Sequence, residues 1–90
     1  GSETRTISST AQERVDLEAV RLASIVDSRL IGTGSVDEDF LREQIRDARY
    51  AVIRIPGQPV VEVGTKPTGD VLQGRATGEE GETVLVEEPR

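Results

Sequence analysis

The sequence predicts an α+β fold, in which a long N-terminal helix and a second, shorter helix pack on a three- to four-stranded antiparallel sheet. Apolar residues recur at helical spacing over about residues 10–31 and again over about residues 36–48. From residue 49 onwards, short runs of β-branched residues alternate with turns containing Gly and Pro. We expect strands at about residues 49–55, 60–64, 70–76 and 82–88.

The first helix has a clear start. Thr10 and Glu13 have the spacing of a capping box, in which each side chain accepts the other residue's amide proton, and Ser9 is an equally good cap. An apolar stripe follows at spacings of three and four residues. Its members are Ala11, Val15, Ala19, Leu22, Val26 and Leu30.

The stripe is narrow near its start and wider after Leu22. We therefore expect its second half to cover the sheet, and its first half either to meet the same helix of a second copy or to be exposed. The candidate dimer face is Ala11, Val15, Ala19, Leu22 and Val26. Arg14, Glu18 and Arg21 lie opposite at ion-pairing spacing and are predicted to face solvent.

The segment from Gly32 to Ser35 is predicted to end the first helix, because glycine readily adopts the left-handed backbone found there. Ser35 and Glu38 have the form of a second capping box. The second helix is expected to bury Val36, Phe40, Leu41, Ile45 and Ala48. The acidic residues 37–39 fit helix capping better than a calcium site, because the spaced ligands of a calcium loop are missing.

The first two strands are predicted to form a hairpin across the turn at residues 56–59. An even loop would place Ile53 opposite Glu62, whereas an odd loop pairs Ile53 with Val63 and Ile55 with Val61, so we expect an irregular, bulge-type turn at Gly57. The expected core face is Ala51, Ile53, Ile55, Val61 and Val63.

The last two strands carry few apolar residues, which is typical of the outer part of a sheet. They are joined across residues 78–81, and Pro89 is expected to end the final strand. The residues expected to face a helix are Val71 or Leu72, Val84 and Val86.

Composition excludes several classes of function. The 90 residues carry a net charge of −6 and a single lysine, so no nucleic-acid partner is expected. Cys and His are absent, which removes zinc sites, thiol nucleophiles and His-dependent catalysis. We expect no catalytic residue, cofactor or metal ligand in this chain, and a hydrolase using Glu79 and Glu82 is the weakest alternative because the short chain offers little cleft.

An acidic stretch near the C-terminus supplies the candidate sensing carboxylates. If several of them lie side by side, repulsion raises their pKa values above about 4.3, and mild acid removes the resulting cost to stability. The alternative is an ordinary solvated run of charges. These residues are Glu79, Glu80, Glu82, Glu87 and Glu88.

Two segments carry a resemblance to a known family. They are the helix from Ala11 to Ile31, which contains Arg21, Leu22 and Ala23, and the segment from Ala48 to Val61, which reads as strand, turn and strand. With this order of elements the chain resembles the extracytoplasmic, PAS-like sensor domains of actinobacterial two-component histidine kinases, including the DraK type.

This resemblance implies an extracytoplasmic domain held between two transmembrane helices of a membrane-bound parent. It also implies a homodimer formed through the first helix, and a cytoplasmic kinase that uses ATP to phosphorylate its own histidine and then acts on a response regulator. Gly1 and Ser2 have the form of an expression-tag scar, so we expect one domain over residues 3–90. The alternative is a soluble, non-catalytic protein–protein interaction module.

Overall fold

The computed structural model describes residues 10–90 and has the predicted α+β fold. Within those residues the four strands form one antiparallel sheet in the order β2-β1-β4-β3. The expected scar at Gly1 and Ser2 and the alternative cap Ser9 lie outside the described residues. The elements are α1 (Ala11–Thr33), α2 (Glu38–Gln44), β1 (Tyr50–Arg54), β2 (Val61–Gly64), β3 (Val71–Thr77) and β4 (Thr83–Pro89).

Both predicted ends of α1 are confirmed. The Glu13 amide donates to the Thr10 hydroxyl at 3.1 Å, and the Thr10 amide donates to the Glu13 carboxylate at 2.8 Å, which completes the capping box. At the other end Gly34 adopts the left-handed conformation with φ of 84°, and its amide donates to the Leu30 carbonyl. Helix α1 runs slightly further than predicted, to Thr33.

The apolar stripe of α1 packs on the sheet of the same chain. Val15, Ala19, Leu22 and Val26 all belong to the hydrophobic core, whereas Ala11 is exposed. The helix approaches β3 so closely that a Cβ atom on Gly74 would overlap the Val15 carbonyl oxygen. The expected dimer face is therefore wrong for those four core residues, because helical periodicity identifies an apolar face without identifying what covers it.

Helix α2 is shorter than predicted and begins two residues later. Its N-cap is Asp37, whose carboxylate accepts the Phe40 amide at 2.8 Å, so the capping box expected at Ser35 is wrong. Leu41 is fully buried, and Phe40 is only partly buried. Val36 and Ala48 are buried outside the helix, and Ile45 packs on the core from its C-cap.

The predicted solvated face of α1 is wrong at Glu18. Only 4% of Glu18 is exposed, and its carboxylate accepts hydrogen bonds from Arg21 and from the amides of Arg46 and Asp47. The Arg46 amide is 2.8 Å from Glu18 Oε2. This contact ties the bend after α2 to α1, and Ile45 has already left the helical conformation, so the second helix does not reach Ala48.

The β1–β2 hairpin has the predicted core face but a different register. Ile53 pairs with Val61 and Ala51 pairs with Val63, so the predicted pairing of Ile53 with Val63 is wrong by two residues. A shift of two residues keeps each side chain on its face. Ile55 therefore remains buried although it lies beyond the end of β1.

The turn of this hairpin contains Ile55, whose carbonyl accepts the Gln58 amide at 3.0 Å. Gly57 has a φ of 76° at the third position of this hydrogen-bonded β-turn, where glycine is favoured, so an ordinary β-turn stands where an irregular one was predicted.

Strand β4 is central, which corrects its predicted position in the outer part of the sheet. It pairs with β1 on one side and with β3 on the other. Leu72, Val84 and Val86 are buried on the helix side as predicted, and β4 ends at Pro89. Since side chains alternate along a strand, odd-numbered β4 residues point to the opposite face, which we call the open face.

Candidate functional site

A buried pair of carboxyl groups joins α1 to the β3–β4 turn. Glu82 immediately precedes β4, and its side chain is fully buried on the helix side of the sheet. Asp27 of α1 is close enough to accept a hydrogen bond from a protonated Glu82, and each group shifts the pKa of the other. Within residues 10–90, neither carboxylate oxygen of Glu82 has a hydrogen-bond donor at ordinary geometry when Glu82 is ionised.

Asp27 also holds the backbone of the turn. Its two carboxylate oxygens accept the amides of Glu79 at 3.1 Å and Glu80 at 3.3 Å. Gly78 lies against the Glu82 carboxyl group, and a Cβ atom there would overlap it. The turn is thus closed around the two acids, and any movement of α1 near Asp27 is coupled to the β3–β4 turn.

The two acids have pKa values displaced in opposite directions. Burial, followed by the hydrogen bond to Asp27 and its negative charge, raises the pKa of Glu82 to about 7, and the amides of Glu80 and Glu82 oppose part of this rise. The hydrogen bond from Glu82 lowers the pKa of Asp27, with help from the amides of Glu79 and Glu80, although burial opposes it. The pair therefore holds one shared proton in mild acid, with Glu82 as the donor.

A second buried glutamate lies on the open face. Glu87 is 2% exposed, and its carboxylate accepts hydrogen bonds from Lys66 Nζ at 3.0 Å and from Gln73 Nε2 at 2.6 Å. Burial alone would raise the pKa of Glu87, but Lys66, Gln73 and the charge of Arg75 together lower it. Glu87 consequently remains ionised in mild acid.

Tyr50 extends this polar network. Its hydroxyl donates to the Glu62 carboxylate, and Lys66 Nζ lies 5.0 Å from the centre of its ring. The hydrogen bond to Glu62, followed by burial and the charges of Glu62 and Glu87, raises the pKa of Tyr50 to about 12. The phenol therefore acts as a hydrogen-bond donor at neutral pH.

The structure does not bring the predicted sensing carboxylates together. Glu79 and Glu80 are exposed in the turn, and Glu82 is buried on the helix side. Glu87 is buried on the open face, and Glu88 is partly buried. The residue that repels Glu82 is one that sequence reasoning missed.

That residue is Asp27, which directly follows Val26 and stands one helical turn after the buried Ala23. The sequence signal that could have identified Asp27 is its position at the border of the apolar stripe of α1, where an acidic residue is unusual. Its partner on the strands was not readable from the sequence.

A family model described as the DraK Histidine Kinase N-terminal domain matches residues 5–89. The chain belongs to this family. A comparison with curated proteins finds no match to the chain.

Membership in the DraK Histidine Kinase N-terminal domain family connects the chain to signal transduction by a histidine kinase. The sequence contains no histidine, so the site of histidine phosphorylation is not among these residues. None of the helices within residues 10–90 combines the length and apolar character needed to cross a bilayer.

Proposed function

We propose that this domain is the extracytoplasmic sensor of a membrane-bound histidine kinase and that it responds to protons through Glu82 and Asp27. The observation that carries this proposal is a fully buried carboxyl group with a pKa of about 7 beside a second carboxylate. Perturbed pKa values of this kind concentrate at functional sites. In the parent protein, the response would reach the cytoplasmic kinase and its response regulator.

The chemistry is a change of one proton. Above pH 7 both carboxyl groups are ionised, and two desolvated negative charges repel each other. When Glu82 takes up a proton, its hydroxyl donates to Asp27, which still accepts the amides of Glu79 and Glu80. Acid therefore stabilises the packing of α1 on the β3–β4 turn, and alkali loosens it.

The sign of the pH effect follows from the two pKa shifts. The raised pKa of Glu82 gives stability that is fully present below its reference value of 4.5 and is lost as pH rises through about 7. The lowered pKa of Asp27 gives stability that is present above its reference value of 3.8 and is lost as pH falls through the lowered value. Both contributions to stability are therefore complete between pH 3.8 and pH 4.5, above the reference pKa of Asp27 and below that of Glu82.

We place the homodimer contact on the outer side of α1. Leu17, Val20 and Ile31 are 69%, 56% and 74% exposed, which is unusual for large apolar side chains. Leu17, the exposed Ser24 and Ile31 follow one another at heptad spacing, with Val20 between the first two. Asp27 lies on the same helix, so a shift of α1 on the sheet would alter the angle between two paired helices.

The proton response can be tested on the 90-residue chain by recording amide NMR spectra and sedimentation between pH 8 and pH 5, on either side of the pKa of Glu82. We expect reversible shifts at Asp27, at its α1 neighbours and at Gly78–Glu80, with a midpoint near pH 7. Glu82→Gln should keep the acid-form spectrum at both ends. Glu79→Gln, which alters an exposed acid in the same turn, should behave like the parent chain.

The proton-sensing proposal would be refuted if the amide shifts of α1 did not change between pH 8 and pH 5. It would also be refuted if Glu82→Gln kept the pH response of the parent chain.

The dimer contact has its own test. Leu17→Glu should shift sedimentation towards the monomer, whereas Asp16→Glu, a conservative change at an exposed neighbouring position, should leave it unchanged. Equal self-association of the Leu17→Glu variant and the parent chain would exclude the outer side of α1 as the dimer contact.

A further inference from the structure

The open face of the sheet contains a cavity of about 390 Å³ that the proton response does not use. Its volume lies at the lower end of the range for small-molecule sites. Strands β1, β4 and β3 form its floor. The lining residues are Val52, Arg54, Arg75, Ala76, Thr77, Thr83, Val84 and Leu85.

The strand register aligns two rows of side chains in this cavity. Arg54 pairs with Thr83, which pairs with Thr77, and this row carries a cation and two hydroxyls. In the next row Val52 pairs with Leu85, which pairs with Arg75. The two arginines are two strand spacings apart and two residues apart along the strands, so their Cα atoms lie about 12 Å from each other, which two long side chains reaching inwards can span.

Within residues 10–90, no carboxylate forms an ion pair with Arg54 or Arg75, although the charge of Arg75 acts on Glu87 at longer range. By contrast, Arg21, Arg42 and Lys66 each have a carboxylate within 4.0 Å. Arg75 makes only a long hydrogen bond of 3.4 Å to the side chain of Gln73. In an acidic chain, two such guanidinium groups bordering one cavity favour an external anion.

The floor between the arginines is apolar. Val52 is only 6% exposed although no helix within the described residues covers this face, and Leu85 beside it is partly buried. An inorganic anion would gain nothing from these side chains. A ligand with an apolar portion would cover the surface of Leu85 that is still in contact with water, and would rest on the already buried Val52.

We propose that this cavity binds a small organic carboxylate, with the carboxylate between Arg54 and Arg75 and the apolar portion on Val52 and Leu85. The Thr77 and Thr83 hydroxyls are placed to donate to the second carboxylate oxygen. The site goes beyond the proton response, because Glu82 lies on the opposite face of the sheet.

The test is an NMR titration of the ¹⁵N-labelled 90-residue chain with sodium benzoate, at constant ionic strength and a fixed, mildly alkaline pH. We expect saturable shifts of the amides lining the cavity. Acetate, which lacks the apolar portion, should bind more weakly. Inorganic phosphate that bound as tightly as benzoate would overturn the role of the apolar floor.

Substitutions separate this site from general charge effects. Arg54→Gln and Arg75→Gln should each weaken benzoate binding about tenfold, the loss expected for a charge-assisted hydrogen bond. Arg42→Gln removes the same charge from an exposed position on α2 and should leave the affinity unchanged. An absence of saturable shifts, or equal weakening by Arg42→Gln, would overturn the proposal.

Glu82→Gln distinguishes the two proposals, since it removes the proton response and should leave benzoate affinity unchanged. Loss of benzoate binding in that variant would contradict the independence of the two faces.

Discussion

Glu82, which immediately precedes β4, and Glu87, within β4, are both buried, yet their pKa values move in opposite directions. Glu82 is fully buried and has a pKa raised to about 7, whereas Glu87 is 2% exposed and has a lowered pKa. Burial is therefore almost equal in the two cases. The difference comes from the partners, because Glu82 meets a carboxylate and Glu87 meets an ammonium group and an amide.

The alternation of a strand produces this contrast. Glu82 points to the helix side, where α1 presents Asp27, and Glu87 points to the open face, where Lys66 reaches in from the segment after β2. The Lys66 side chain is 63% exposed, so it neutralises Glu87 without being buried itself. Glu87 is thereby suited to a constant structural role and Glu82 to a change of protonation.

The largest effect is expected at Glu18, a third buried carboxylate, which resembles Glu87 in being fully partnered. Glu18→Ala leaves Arg21 and the amides of Arg46 and Asp47 without their acceptor, and should lower the free energy of unfolding by about 3 kcal/mol at neutral pH. Urea unfolding measures the loss. The matched control is Glu43→Ala, at an exposed position of α2, and equal losses in the two variants would show that burial of Glu18 carries no special stability.

Glu82→Gln should act in the opposite direction. The amide can donate to Asp27 without a charge, so the free energy of unfolding should rise on the order of 2 kcal/mol above pH 7 and change little near pH 5. Part of the shift at Glu82 is offset by the lowered pKa of Asp27. Thermal unfolding at the two pH values gives the measurement, and a destabilised variant at alkaline pH would contradict the repulsion between the two acids.

Lys66→Met removes the positively charged partner of Glu87 and leaves a buried carboxylate without one, as Glu82 is. Removing the ammonium group should raise the pKa of Glu87 and lower the free energy of unfolding by about 1 kcal/mol at neutral pH, a modest loss because Lys66 is largely exposed. Lys66→Arg keeps the charge and should retain most of the stability. An unchanged pKa of Glu87 in Lys66→Met would assign its ionisation to Gln73 and Arg75 instead.

Tyr50→Phe is expected to have the smallest effect. It removes the hydrogen bond to Glu62 at the rim of the Glu87 network and should cost about 0.5–1 kcal/mol. The pKa of Glu82 should not move, because Tyr50 lies on the other face of the sheet. Chemical unfolding together with NMR titration checks both points, and a shift at Glu82 would mean that the two faces are coupled.

The secondary structure could be predicted from the sequence because it depends on local patterns. The capping box at Thr10, the left-handed Gly34 and the turn glycine Gly57 each satisfy a backbone requirement that neighbouring residues reveal. The sequence also identified Glu82 as one of several acids of interest. It could not reveal that Asp27 is its partner, since that contact joins a helix to a distant turn.

The same limit explains the errors at Glu18 and in the predicted dimer stripe. Glu18 has the spacing of a surface ion pair, and only the tertiary fold brings the amides of Arg46 and Asp47 to it. Val15 and Ala19 form an apolar seam whose partner turned out to be the sheet of the same chain. The residue pattern along one helix or strand predicts which of its faces is apolar. Packing between distant parts of the chain determines which element covers that face.

The central claim is that the neighbouring groups, and not the degree of burial, give Glu82 and Glu87 pKa shifts in opposite directions. The most direct test is to titrate the side-chain carboxyl carbons of Glu82 and Glu87 by NMR in the same sample. The account predicts a midpoint near pH 7 for Glu82 and one below the reference value of 4.5 for Glu87. Titration of both groups at their reference value would contradict it.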